Sequence, residues 1–303
     1  VKTARLDSTL YNSAFEAYAA ENCSQANERF AQYLERFPSG LFLRKVHYLH
    51  ALCLDKEENK DKAAQQWEAL FQMGEGDHRD AAAFKLGAIA YQDSLFGKAR
   101  DYFLQLNEGD DPQLLRESRF FLLRIAVEQK QHDAVIEMAH AVLEDVKTAP
   151  ERITYTLLQR ARSRFALGRL ETARSDYQQL YDQPKGVSAA EAGYHLARMS
   201  YMEGNYQASI DKVYEAMERT PGFPTWREES LFLLVENFLA LGDHFQAEYT
   251  LDFLEQNGLG EAATQRAKAL RRQLAATQEQ QENEEVRSQP FKSLQVEDLP
   301  SLE

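Results

Sequence analysis

The sequence predicts an all-α protein, a solenoid of about seven helix pairs closed by a C-terminal capping helix. Three observations carry that prediction. A small residue followed one helical turn later by a large apolar one recurs along the chain at a nearly constant interval. A second small residue precedes several of these by twelve positions. And 303 residues contain only 14 Gly and 8 Pro, too few breakers for an all-β or βαβ chain.

The recurring pairs are Ala26/Phe30, Ala63/Trp67, Ala99/Phe103, Ala134/Met138, Ala173/Tyr177 and Ala247/Leu251. A looser unit centres on Ala208, where Lys212 takes the place of the large apolar residue. Residues four apart share a helix face. Most pairs are extended three residues on, by Tyr33, Leu70, Leu106, Leu180 and Leu254. The small residues are 35 to 39 positions apart, and such a period over most of a chain marks a helical repeat array. Ala14, Ala51, Gly87 and Ala161 stand twelve positions earlier. Two small residues let the paired helices approach, and the large one fills the neighbouring groove.

The turns agree. Gly168, Gly204 and Gly242 each fall just before a helix that carries a key small residue, where Gly supplies a left-handed helix end. Phe37-Pro38-Ser39-Gly40 and Thr220-Pro221-Gly222 stop the second helix of their pairs. Beyond residue 260 the chain is rich in Ala, Gln, Arg and Glu, with Ala262, Ala269, Leu270 and Leu274 at helical spacing. The expected organisation is a repeat array over 1–260, a capping helix over 261–282 with a polar outer side, and a disordered acidic tail over 283–303.

With Leu86-Gly87, Ala99 and Phe103, and Ala26, Phe30 and Pro38, the chain resembles the tetratricopeptide repeat family over roughly residues 8–257. The leading Trp of the family pattern is missing, and the units are slightly longer than the family's 34 residues. The resemblance implies a right-handed superhelical solenoid that works as a protein-binding scaffold or adaptor, with no enzymatic activity and no cofactor. Phe37-Pro38-Ser39 and the Tyr-rich helices also resemble tetratricopeptide proteins of the Gram-negative cell envelope. That implies a periplasmic or envelope-associated location, with a cytoplasmic one as the alternative. Co-chaperones of the family hold a carboxylate with Lys and Asn on the first helices. The matching positions here hold Tyr11 and Phe15, Tyr48 and Leu52, and Phe84 and Ala88, so that clamp is not expected.

Charge narrows the partners. The net charge is −13, of which residues 277–303 carry −5 and the remainder −8. An acidic body argues against nucleic acid, whose affinity rests on clustered Lys and Arg, and against an anionic membrane surface. No apolar run approaches the roughly 18 residues of a membrane span. The chain opens on Val1-Lys2-Thr3 with neither Met nor a signal-peptide pattern, and reads as a processed or trimmed end.

Candidate chemistry is sparse. Cys23 and Cys53 make no disulfide framework and read as small buried helix residues. His47, His50 and Cys53 offer zinc-type ligands, but the i, i+3, i+6 spacing drifts around the helix and no fourth ligand is evident. They read as packing residues, and no metal is expected. The other histidines join no nucleophile or metal motif.

Binding residues are more promising. By register with the key small residues, the concave face of the first helices would present Tyr48, Phe84, Tyr91, Arg116, Arg119, Tyr155 and Arg162. Tyr and Arg carry interface energy through buried area and fixed donor forks. This basic, aromatic stretch in an acidic protein suits an acidic or carboxylate-bearing peptide. The alternatives are a self-associating structural module or part of a longer array, and a regulatory domain sensing a small ligand.

Overall fold

The computed structural model describes residues 2–106, 111–257 and 260–288, with side chains described among them except in 2–5 and 277–288. The chain forms two compact units, Val1–Gly168 and Arg169–Glu303. Unit 1 holds α1 (Lys2–Ala19), α2 (Cys23–Arg36), α3 (Leu43–Lys56), α4 (Lys60–Gln72), α5 (Arg79–Gln92), α6 (Phe96–Phe103), α7 (Pro112–Glu128), α8 (His132–Glu144) and α9 (Pro150–Ala166). Unit 2 holds α10 (Leu170–Tyr181), α11 (Val187–Met202), α12 (Tyr206–Arg219), α13 (Pro224–Ala240), α14 (His244–Asn257) and α15 (Glu261–Ser288). Among the described residues all regular structure is helical. Within each unit, every helix packs on the next in sequence, and α1 on α3, α5 on α7, and α11 on α13.

The packing shows a tighter repeat than the residue types suggested. The fourth residue of each even-numbered helix through α14 is buried: Ala26, Ala63, Ala99, Val135, Ala173, Ser209 and Ala247. Four positions on, Phe30, Trp67, Phe103, Ala139, Tyr177, Val213 and Leu251 are buried as well. The intervals narrow to 36–38 residues.

Two units are therefore corrected by one position. Ala134 and Met138 are only partly buried, and Val135 and Ala139 take the inner places. Ala208 is exposed, and the neighbouring Ser209 is buried with Val213 behind it, so Lys212 no longer interrupts the pattern. The reason is volume. Leu123 stands twelve positions before Val135, where the first three repeats have Ala14, Ala51 and Gly87, and a large residue there leaves room only for Ala139 on the facing helix. Gly87 shows the opposite arrangement: a Cβ on it would meet the Phe103 ring at 2.8 Å.

The turns inside the helix pairs share one device. Five positions before each buried small residue stands a left-handed residue: Glu21, Glu58, Ser94, Lys130, Gly168, Gly204 and Gly242. The next residue commonly donates its N–H five residues back, as Gln131 does to Ala126 at 2.9 Å, which satisfies the helix end. A non-Gly residue in this conformation costs roughly 1–2 kcal/mol, while Gly loses about 0.5–1 kcal/mol more on folding. Lys130→Gly is therefore expected to stabilise unit 1 by about 0.5 kcal/mol, read as a raised urea midpoint at unchanged m. A lowered midpoint would mean that the Lys130 side chain carries contacts of its own.

Cys23 and Cys53, expected as free thiols, form a disulfide between the start of α2 and the buried side of α3. Lone spacing could not reveal the pair, because 30 residues separate the two cysteines and only repeat packing brings them together. Nearby, the Tyr33 hydroxyl donates to buried Asp7 and accepts from the Phe42 N–H at 3.0 Å, while Asp7 accepts from the Leu41 N–H at 3.0 Å. This network ties α1 to the turn after α2.

His50 is 7% exposed, with its ring 5.9 Å from Phe30 and no partner at Nδ1. Burial, then the charges of His47 and Lys62, push its pKa down to about 4. The unfolded chain thus binds the extra proton first, so this contribution is complete above pH 6.5 and lost as pH falls toward 4. The loss amounts to about 3 kcal/mol, at 1.36 kcal/mol per pKa unit. Burial also lowers His47 and His78. Urea unfolding at pH 7 and pH 4.5 is expected to show His50→Leu losing less stability on acidification than the parent; parallel losses would assign the effect to carboxylates.

The capping helix expected over 261–282 runs on to Ser288. Ala263, Ala267 and Leu274 are buried, Leu270 is partly buried, and Ala262 and Ala269 are exposed. The first six residues of the expected tail are thus helical. Residues 289–303 lie outside the described residues.

Candidate functional site

The basic cluster of unit 1 is placed by two well-defined helix starts. Asp111 caps α7, accepting from the N–H groups of Gln113 at 2.8 Å and Leu114 at 3.2 Å, with Pro112 at the first position. Pro150 opens α9 in the same way after extended Ala149, a position where its missing N–H costs nothing. Between α7, the end of α8 and the start of α9 lies a cleft of about 240 Å³, lined among others by Arg116, Arg119, Phe120, Asp145, Lys147 and Arg152.

Part of this charge is tied down. Arg152 donates to both oxygens of Glu117 at 2.8 and 2.7 Å and lies 4.7 Å over the Phe120 ring. The hydrogen bonds to Glu117 raise its pKa, against partial desolvation. Arg116 stands 3.9 Å from Asp145. Two carboxylates, Glu117 and Asp145, thus face four cations, Arg116, Arg119, Lys147 and Arg152, and the cleft is net positive in an acidic protein.

Next to it, Phe121 anchors an aromatic knot, with ring centroids 5.9 Å from Phe84, 5.2 Å from Tyr91 and 5.0 Å from Phe103. Arg124 lies 4.9 Å over Tyr91 and 5.8 Å over Phe121. Tyr155 meets Phe120 edge-on at 5.7 Å. Its pKa is raised, first by burial, with Arg124 and Arg162 opposing and Tyr91 and Glu128 adding to the shift. Tyr91, Arg124 and Arg162 therefore all lie within charge range of Tyr155.

The seven expected residues divide accordingly. Arg116 and Arg119 line the cleft, Tyr91 and Arg162 lie within charge range of Tyr155, and Phe84 packs into the knot. Tyr48 lies apart, stacked on His78 at 3.9 Å and edge-on to Trp67 at 5.8 Å. It borders a second cleft whose lining includes Asp77, Asp80 and Asp111.

Arg124 and Phe120 were missed because of the one-residue shift in the fourth repeat. Tyr48 and Phe84 stand fifteen positions before Ala63 and Ala99. The same offset from Ala134 gives Arg119, but from Val135 it gives Phe120. Likewise Arg162 stands eleven before Ala173, and eleven before Val135 is Arg124. His47, His50 and Cys53 do not converge. The His47 Nδ1 lies 2.9 Å from the Gln66 Oε1, and Cys53 is held in its disulfide.

Helix pairs in a 36–38-residue register, left-handed turns at a fixed offset and packing of each helix on the next within a unit define a tandem helical-hairpin repeat protein. Residues 158–223 match the tetratricopeptide repeat model, and the buried register of that segment recurs in the other helix pairs. Among solved structures, the chain resembles one of Naa15/Naa10 bound to HypK-THB, with TM-score 0.55 and 13% identity over 86% of this chain and 38% of that one. It thus spans well under half of that protein's length. It also resembles a tetratricopeptide repeat protein from Parabacteroides merdae, with TM-score 0.45 and 10% identity over 86% and 96% of the two chains. A third similar structure, the TPR2AB-domain:pHSP90 complex of yeast Sti1, has TM-score 0.40 and 13% identity over 91% and 95%. No curated protein matches the sequence. No described helix is long and apolar enough to cross a membrane.

Proposed function

We propose that the chain is an interaction scaffold of the cell envelope whose unit 1 holds an extended, acidic stretch of a partner protein. The ligand would lie along the concave face of the first helices, over Tyr91, Arg124, Tyr155 and Arg162, with Phe84 packed beneath it in the knot and Tyr48 beyond it beside the acidic cleft. Its carboxylates would enter the cleft of Arg116, Arg119, Lys147 and Arg152. The observation that carries this reading is the concentration of cations and aromatic rings on α7 and α9 of a chain with net charge −13. Arg offers rigid donor forks for carboxylates, and Tyr and Arg are the residue types that dominate binding energy.

The envelope assignment rests on the Cys23–Cys53 disulfide, since such bonds persist in oxidising compartments such as the periplasm and are rare in the cytosol. The binding test is fluorescence anisotropy of the full chain with a labelled Glu-rich peptide and its Lys-rich counterpart. The Glu-rich peptide is expected to bind, and to bind more weakly as salt rises. Arg119→Glu with Arg162→Glu is expected to weaken it at least tenfold, or about 1.4 kcal/mol. Equal affinity in the variant, or equal binding of both peptides, would overturn the proposal.

A further inference from the structure

The outward face of α14 differs from its counterpart in the other repeats. Two positions before, two after and six after the buried Ala247 stand Phe245, Tyr249 and Phe253, which are 75%, 65% and 37% exposed. At the same offsets from Ala26, Ala63, Ala99, Val135, Ala173 and Ser209 the chain has only Ser, Gln, Glu, Asp, Ala and Gly, as in Ser24, Glu28 and Gln32 of α2. Spacing of four keeps the three rings along one side of the helix. The inner side of α14 is already filled by Ala247, Leu251 and Leu254, so these rings do not serve the repeat packing.

The stripe ends in a cleft. Phe253 borders a space of about 250 Å³ shared with Pro224, Arg227, Leu231 and Leu254, large enough for one apolar side chain. The charges on α14 beside the stripe are acidic, while Arg227 of α13 lies 6.0 Å over the Phe253 ring at its far end. α14 carries Glu248, Asp252 and Glu255 and no Lys or Arg. Arg271 of α15 engages Asp252 at 2.5 Å and Glu255 at 2.8 Å. Glu248, next to the central Tyr249, is exposed, and so is Asp243 at the head of the stripe, whose carboxylate accepts from the Gln246 N–H at 3.0 Å.

We propose that this face docks an amphipathic helix of another protein, with large apolar residues at one-turn spacing and Lys or Arg beside them. Apolar anchors at that spacing fit a row of three rings, and the flanking cations answer Glu248 and Asp243. A second copy fits less well: two stripes meeting about a two-fold axis through Tyr249 bring the Glu248 carboxylates together. The acidic charge likewise disfavours an anionic lipid surface. This site lies in unit 2 and selects the opposite charge from the one proposed for unit 1, so the two stand or fall separately.

The test uses the full chain and a labelled 14-residue helical peptide with Leu at one-turn spacing and Lys flanks. A Glu-flanked version and a scrambled version serve as controls. The Lys-flanked peptide is expected to bind at least tenfold more tightly than either control. Phe245→Ser with Tyr249→Ser removes apolar surface at unchanged charge, and is expected to weaken binding at least tenfold with the helical circular dichroism unchanged. Glu248→Lys is expected to narrow the preference for Lys flanks. Undiminished binding by the Ser variant would show that the peptide senses overall charge alone, and would overturn the proposal. So would a molar mass that doubles with concentration in the parent but not in the Ser variant, which identifies a second copy as the occupant. Flotation with phosphatidylcholine vesicles that is lost in the Ser variant would overturn it in favour of a lipid surface.

Discussion

Trp67→Ala is expected to lower the unfolding free energy by about 3–5 kcal/mol, the range for truncating a buried aromatic. Trp67 is the largest fully buried side chain among the described residues. It packs with Ala51, Leu54, Leu70, Ala82 and Leu86, elements drawn from α3, α4 and α5. A cavity there faces three helices whose backbones are set by their own ladders, so collapse is limited. The indole also donates from Nε1 to Asp55 at 3.3 Å, and Lys85 holds the same carboxylate at 2.9 Å. Asp55 therefore keeps one partner when the ring is lost, and volume dominates the cost. Trp67→Phe isolates this: it keeps most of the ring, removes the donor, and is expected to cost roughly 1–2 kcal/mol. In repeat arrays each unit leans on its neighbours. Hydrogen exchange should thus show protection lost first in α3, α4 and α5 and retained in unit 2. A loss below 1 kcal/mol for the Ala variant would mean that these helices close over the vacancy.

Removing the Cys23–Cys53 bridge is expected to cost about 3–4 kcal/mol, the loop-entropy value for a closed segment of about 30 residues. The bridge joins α2 to α3 in the core cluster of the first repeat. Cys53 is buried, so a hydroxyl there would add an unsatisfied polar group, and the cleaner variant is Cys23→Ala with Cys53→Ala. Urea unfolding of the parent with and without reductant, and of the double variant, provides the measurement. The reduced parent and the variant are expected to agree within about 1 kcal/mol, since Ala also removes a little packing volume. If reductant leaves the midpoint unchanged, the thiols are not paired in solution, and the support for an oxidising compartment goes with them.

The period of the repeats was legible because it is local. A helix, a left-handed turn and a second helix need about the same length each time, and small residues at the contact recur with it. Ala26, Ala63, Ala99, Ala173 and Ala247 could be read directly. Val135 and Ser209 could not, since a β-branched or polar residue at the inner position is acceptable only beside particular neighbours, such as Leu123 opposite Ala139. That single shift then displaced the expected binding face by one residue in the fourth repeat, selecting Arg119 where Phe120 has the matching offset and passing over Arg124.

Sequence alone determined that this protein is a helical-pair array with its turns at fixed offsets, since hydrophobic period and turn chemistry act within 40 residues of chain. Only the tertiary structure decided which of two adjacent positions points inward, which cysteines meet, which arginines gather around Tyr155, and that three aromatic rings of α14 face water. The physical reason is common to all four. Each is settled by side-chain volume and charge contributed by helices that are distant in sequence, and no local pattern carries that information.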